Sequence, residues 1–125
     1  MALKVLLDTN FLLIPAQFKV DVFEEIRELV HGEYELVVPK MVLFELMRLA
    51  AGRGKHSGAA RLALRMVEEK KVRVEEAGGK ADDWLLEQGR GGAVVCTNDA
   101  GLIKLLRENN VKCIRLRGKS QLGFA

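Results

Sequence analysis

Five short, mostly apolar runs recur along the chain, LKVLL (3–7), ELVVP (35–39), VRVE (72–75), AVVCT (93–97) and KCIRL (112–116), with a longer amphipathic stretch between each and the next. Runs of this length suit strands, and parallel neighbours need a crossover long enough to hold a helix. The alternation predicts an α/β protein: three α/β/α layers around a central parallel sheet of about five strands. Helices are expected at about 20–31, 40–51, 57–70, 81–89 and 99–109. In the first, Val22, Phe23, Ile26, Leu29 and Val30 form one apolar stripe, with Asp21, Glu24, Glu25 and Glu28 mostly toward water. Pro39 closes the second run, and Gly78-Gly79 separates the third from the helix after it. At 125 residues the chain fits a single domain, 1–125.

No apolar stretch approaches the roughly 18 residues that cross a bilayer, and no signal-peptide cleavage pattern follows the N-terminal one, so a cytoplasmic location is expected. Cys96 and Cys113 fall in strand-like segments with no His at zinc spacing, and read as reduced core thiols. A net charge of +3 says little about a polyanionic partner, but its distribution says more. Residues 1–50 carry 5 Lys or Arg against 8 acids, 51–75 carry 7 against 3, and 103–119 carry 6 against 1.

In open parallel sheets ligands collect at the carboxyl ends of strands, where strand order reverses. Asp8 directly follows the first run, Asp99 lies two residues past Thr97 at the end of the fourth, and Asp82 opens the helix leading to it. Glu45 lies on the helix after the second run, beside Val42, Leu43, Leu46 and Leu49, where a carboxylate is costly unless paired. Gathered together, such acids repel, and a divalent cation removes the difficulty. Oxygen donors alone suit Mg²⁺ or Mn²⁺ better than zinc, and the chemistry that follows is hydrolysis of a phosphodiester. Each acid has a plainer reading: Asp82 and Asp99 as helix N-caps, Glu45 as an exposed helix-edge residue. Asp8, closing a buried strand, has no such structural role to fill.

These residues resemble the PIN-domain family. LLDTNFLL is similar to its first motif, VLFELMRL to its second, ADDWLLEQ to its third and VVCTNDAGLIKLLRENNVKCIRL to its fourth, in order along nearly the whole chain. Within the family, IPAQFKVDVFEEI, KADDWLL and GLIKLLREN resemble the branch shared by archaeal PIN proteins and the eukaryotic endonuclease that cleaves pre-ribosomal RNA, with a relation also to VapC-type toxins. The resemblance implies that strands one and four lie side by side, that Mg²⁺ or Mn²⁺ is the cofactor, and that single-stranded RNA is cut. It assigns catalysis and metal binding to Asp8, Glu45, Asp82 and Asp99, with Asp83 as the alternate to Asp82. Thr9, Asn10, Thr97 and Asn98 take supporting roles, orienting carboxylates or water.

Arg53, Lys55, His56 and Arg61, on or beside a glycine-rich loop after the Glu45 helix, are candidates to grip RNA phosphates, with Lys104 and Arg107 flanking the other side. Tyr34 and Trp84 are the available stacking residues, and Trp84 falls on a face expected to be core, so little base preference is expected. His31 and His56 are not placed as metal ligands. Family analogy suggests a homodimer, and an antitoxin or a pre-ribosomal partner is possible. Two rivals stand beside the nuclease: a PIN-like scaffold that binds RNA or an assembly partner without cutting, and a phosphatase of the haloacid-dehalogenase type. The latter wants an Asp two residues after the first; the chain has Asn10.

Overall fold

The computed structural model describes residues 2–125. The strands are β1 (Leu3–Leu7), β2 (Tyr34–Pro39), β3 (Arg73–Glu75), β4 (Val94–Cys96), β5 (Cys113–Arg117) and β6 (Gln121–Phe124), in the sheet order β3-β2-β1-β4-β5-β6. The first five are parallel and lie within a residue or so of their expected bounds. β6 is an addition: QLGF returns from β5 through a turn at Gly118 (φ 64) and pairs antiparallel with it, Arg117 opposite Gln121. Four residues, one of them glycine, carry too little periodicity to announce a strand.

The helices are α1 (Thr9–Leu12), α2 (Ile14–Phe18), α3 (Val22–Leu29), α4 (Lys40–Ala51), α5 (Ser57–Glu69), α6 (Ala81–Arg90) and α7 (Ala100–Glu108). α3 buries Val22, Phe23 and Ile26, as its stripe requires. The two short helices α1 and α2 were not expected, because TNFLLIPAQF has Pro15 near its middle. The proline is accommodated in the first turn of α2, where its missing N–H leaves no bond unmade.

The period-two alternation of the strands divides the core. Val5 and Leu7, Val38, Val94 and Cys96, Ile114 and Leu116 face α1–α5, together with Phe11, Ile14, Ile26, Val42, Leu46 and Ala63. Leu6, Val37, Val95 and Cys113 face the opposite way, onto Trp84 and Leu85 of α6 and Leu102, Ile103 and Leu106 of α7. Both cysteines are free and buried. Burial holds the Cys96 thiol well above its usual range and pushes Cys113 up to about 11, so neither is a ready nucleophile.

After β3 at one edge, the chain crosses back and enters the sheet again as β4 beside β1. β1 leads outward through β2 and β3, β4 through β5 and β6, so strand order reverses between β1 and β4. This is where such a sheet opens a crevice at its carboxyl ends.

Helix α6 reaches the strand loops closely enough to need a glycine. A Cβ on Gly89 would stand 2.4 Å from Cγ1 of buried Val111. Alanine normally favours a helix by up to about 1 kcal/mol over glycine. Here overpacking outweighs that gain, and Gly89→Ala is expected to destabilise the protein by about 1–2 kcal/mol in urea unfolding, with Val111→Ala in the same chain recovering part of the loss.

Candidate functional site

Asp8 leaves β1 at the centre of the sheet, its backbone N–H donating to Cys96 O at 3.0 Å and so continuing the β1–β4 pairing by one residue. The side chain is turned inward and only 6 % of the residue is exposed. Oδ1 accepts from the Thr9 backbone N–H at 2.9 Å; Oδ2 accepts from Thr97 Oγ1 at 2.8 Å and from Asn10 Nδ2 at 3.3 Å. Contrary to expectation, Asp8 does have a structural role, as the N-cap of α1.

Around this carboxylate the supporting residues form one network. The Asn10 amide oxygen accepts from the Asn98 backbone N–H at 2.7 Å while its nitrogen faces Asp8, which settles the amide's orientation. The Asn98 side-chain oxygen accepts from Leu116 N–H at 3.3 Å, tying the loop after β4 to β5. Thr97, fully buried, gives its one proton to Asp8 and accepts from the Asp99 backbone N–H at 3.2 Å. Thr9 holds Asp8 through its main chain, while its buried Oγ1 has no hydrogen-bond partner among the described residues.

The other acids arrive from separate elements. Asp99 caps α7, accepting from Leu102 N–H at 2.9 Å. Asp82 lies in the first turn of α6 and is not its cap; that position is taken by Lys80, whose side chain makes no capping bond. Glu45 lies on α4, on a side chain 47 % exposed, with Arg48 Nη2 at 3.9 Å. Asp8, Glu45, Asp82 and Asp99 line one cavity of about 540 Å³, with Thr9, Asn10, His56 and Lys80 also on its wall. Asp83, one residue along α6, is not part of that lining.

Among the described residues, no three Asp, Glu, His or Cys side chains converge closely enough to hold an ion as they stand. The four acids rim an open cavity instead. They nonetheless sense one another. Burial, the largest influence, raises the Asp8 carboxyl above the ordinary aspartate value; bonds from Thr97 and Thr9 oppose this, and Asp82 and Glu45 push it further up. Although Asp82 is exposed as a residue, partial desolvation of its carboxyl raises it too, followed by repulsion from Asp99 and Asp83. No ion pair within 4.0 Å reaches Asp8, Asp82 or Asp99 among the described residues. The donors are hard oxygens in mutual repulsion, and such a set fits Mg²⁺ or Mn²⁺.

The expected RNA-gripping residues are dispersed. His56 reaches the cavity, its Nδ1 3.2 Å from Gln17 Nε2. Arg53, Lys55 and Arg61 do not line it, and Arg61 Nη1 is committed to Ala50 O at 3.0 Å, tying α5 to the end of α4. Lys104 and Arg107 line a different groove along α7. Lys80 is a wall residue missed in the sequence. The signal was present: a lysine just before a first helical turn opposes the helix dipole and invites another explanation.

A three-layer α/β fold with a buried aspartate and three further acids at its switch point defines a class of proteins with an acidic site between β1 and β4. A family model described as PIN like domain matches residues 5–119. Ribonuclease VapC4 of Methanocaldococcus jannaschii is 31 % identical over 121 residues, spanning 93 % of this chain and 92 % of that protein. The chain therefore belongs to the PIN-like domain family. Among solved structures, the PIN domain endonuclease Utp24 shares the fold with a TM-score of 0.78 at 22 % identity, over 97 % of this chain and 90 % of that one. A domain of a functionally unknown protein from Methanocaldococcus jannaschii shares it at 0.64 and 18 %, over 94 % and 93 %.

The raised Asp8 carboxyl fixes the sign of a pH effect. The folded protein protonates Asp8 at higher pH than the unfolded chain, so the native state binds more protons in the window above 3.8 and loses stability as pH rises through it. Asp8→Asn, unfolded in chelator, is expected to be more stable than the native sequence at neutral pH. The difference should shrink below pH 3.8, where both side chains are neutral.

Proposed function

We propose that this protein is a metal-dependent endoribonuclease that hydrolyses phosphodiester bonds of RNA in the cavity between β1 and β4. The observation that carries the reading is the placing of four carboxylates, from β1, α4, α6 and α7, on one cavity where Asp8 is buried and repelled by its neighbours. Membership of a family with a relative named a ribonuclease supports RNA as substrate.

Asp8, Glu45, Asp82 and Asp99 would hold Mg²⁺ or Mn²⁺, directly or through water, with Asp82 preferred to Asp83 because only the former lines the cavity. When bound, the ion supplies a nucleophile at neutral pH and neutralises charge that builds on the phosphate. The chain's own residues do the positioning. Thr97 and the Thr9 backbone fix both oxygens of Asp8, and Asn10 locks the β1 loop to the β4 loop, so the central carboxylate keeps its direction without an ion. The N–H of Leu102 holds Oδ1 of Asp99, leaving Oδ2 for the cavity. Lys80 and His56, which line the same cavity, would meet a phosphate or leaving oxygen there.

Cleavage of a labelled single-stranded RNA in Mn²⁺, with and without chelator, tests this. The native protein should cut and chelator should stop it, while Asp8→Asn should slow it by about 100-fold or more. Thr97→Val should cost about 10–100-fold by releasing Asp8, whereas Thr9→Val, which replaces a hydroxyl with no partner, should leave the rate nearly unchanged. Equal cutting by native protein and Asp8→Asn contradicts the proposal. Binding without cutting in every divalent ion favours a scaffold.

A further inference from the structure

Five of the chain's cations are ion-paired among the described residues. Around β2 and β3, Lys4 pairs with Glu75, Lys40 with Glu76, and Arg73 with both Glu35 and Glu75, and on α4 Arg48 pairs with Glu45. On α3, Arg27 pairs with Glu24. At the opposite edge of the sheet, Lys104, Arg107, Arg115 and Arg117 are exposed and take part in none of the ion pairs among the described residues.

Alternation along β5 explains their placement. Ile114 and Leu116 face the α1–α5 core, so Arg115 and Arg117 must point to the α7 side, where the sheet extends beyond the helix. Lys104 and Arg107 project toward the same space from α7. Together they line two cavities, of about 480 and 420 Å³, that share Arg107 and Arg115 and so make one continuous groove. Among the described residues, Glu108 is its only acidic side chain. Main-chain carbonyls hold two of the guanidinium groups in place: Arg115 Nε donates to Leu116 O at 3.3 Å and Arg117 Nη1 to Phe124 O at 2.8 Å. The Arg117 stem lies across Gly123, where a Cβ would meet its Cδ at 2.3 Å. Carbonyl bonds orient these planar groups without cancelling their charge, leaving further N–H donors for an oxyanion that accepts through two of its oxygens.

The groove begins one residue along the chain from the acidic cavity. Ala100, which lines the groove, follows Asp99, which lines the cavity, and Arg107 lies about 10 Å farther along α7. We infer that the groove formed by Lys104, Arg107, Arg115 and Arg117 binds the phosphate backbone of the RNA strand beyond the scissile bond. This rests on the nuclease reading above. Among the described residues no aromatic side chain lines the groove to stack bases, so it holds the strand irrespective of sequence.

The test is binding without turnover: fluorescence anisotropy of a labelled single-stranded RNA oligonucleotide in chelator, over a series of salt concentrations. Arg107→Gln with Arg115→Gln should weaken binding about tenfold at 0.1 M salt and lower the slope of log K against log salt by about 1.4, for two phosphates released. The matching pair of lysine substitutions should keep most of the slope, and Lys40→Gln, which removes a paired cation, should change neither quantity. A melting curve for each variant guards against misfolding. An unchanged affinity and slope in the glutamine pair overturns the inference. Because no cleavage enters the readout, a protein that never cuts RNA yet shows the loss of slope refutes the nuclease reading alone. One that cuts while its glutamine pair binds normally refutes the groove alone.

Discussion

Thr97 Oγ1 and Asp8 Oδ2 meet at 2.8 Å across the seam between β1 and β4, and most of what is distinctive in this molecule depends on that contact. The two residues are 89 apart in sequence, brought together because the chain crosses from the edge strand β3 to re-enter beside β1. Their hydrogen bond, with those of Asn10 and Asn98, ties the loops after β1 and β4 to one another and to β5. A carboxylate buried at such a point carries a desolvation cost that these donors offset only in part. The remaining frustration is the physical basis for cation binding in the proposed function.

The charge map follows the same architecture. Acids rim the cavity at the switch point, ion pairs join Lys4, Lys40 and Arg73 to acids around β2 and β3, and arginines outside the ion pairs among the described residues line the β5–α7 groove. A polyanion is repelled by the first region unless a cation intervenes, gains little at the second, and is attracted at the third. In the proposed function, that division would give a phosphodiester strand a direction of approach across the surface.

Much of this was legible in the chain. The parallel strands could be read from runs such as LKVLL and AVVCT, and the positions of Asp8 and Asp99 from where those runs end. What could not be read was local or depended on distant partners. β6 exists because β5 offers QLGF an unpaired edge, and α1 begins because Asp8 caps it. Thr9 reads as a supporting residue that orients a carboxylate or water, and the group that meets Asp8 is its backbone N–H. Nothing in ALKVLLDTN distinguishes an N–H donor from a hydroxyl donor. Arg53, Lys55 and Arg61 were plausible beside Glu45 in sequence, yet the turn between α4 and α5 carries them off the cavity wall and leaves His56 there. Lys104 and Arg107 belong with Arg115 and Arg117, a grouping visible only once alternation along β5 is set by its core face.

In the proposed function, four carboxylates distant in sequence would act on one cation. Paramagnetic line broadening in an amide nitrogen-proton spectrum, during titration with substoichiometric Mn²⁺, tests it without reference to catalysis. Early, selective loss of signals from residues 8–10, 45, 82 and 97–99 is expected, with Asp8→Asn abolishing the selectivity. Broadening centred instead on the acids of the β2–β3 edge, or spread evenly over the surface, would contradict it.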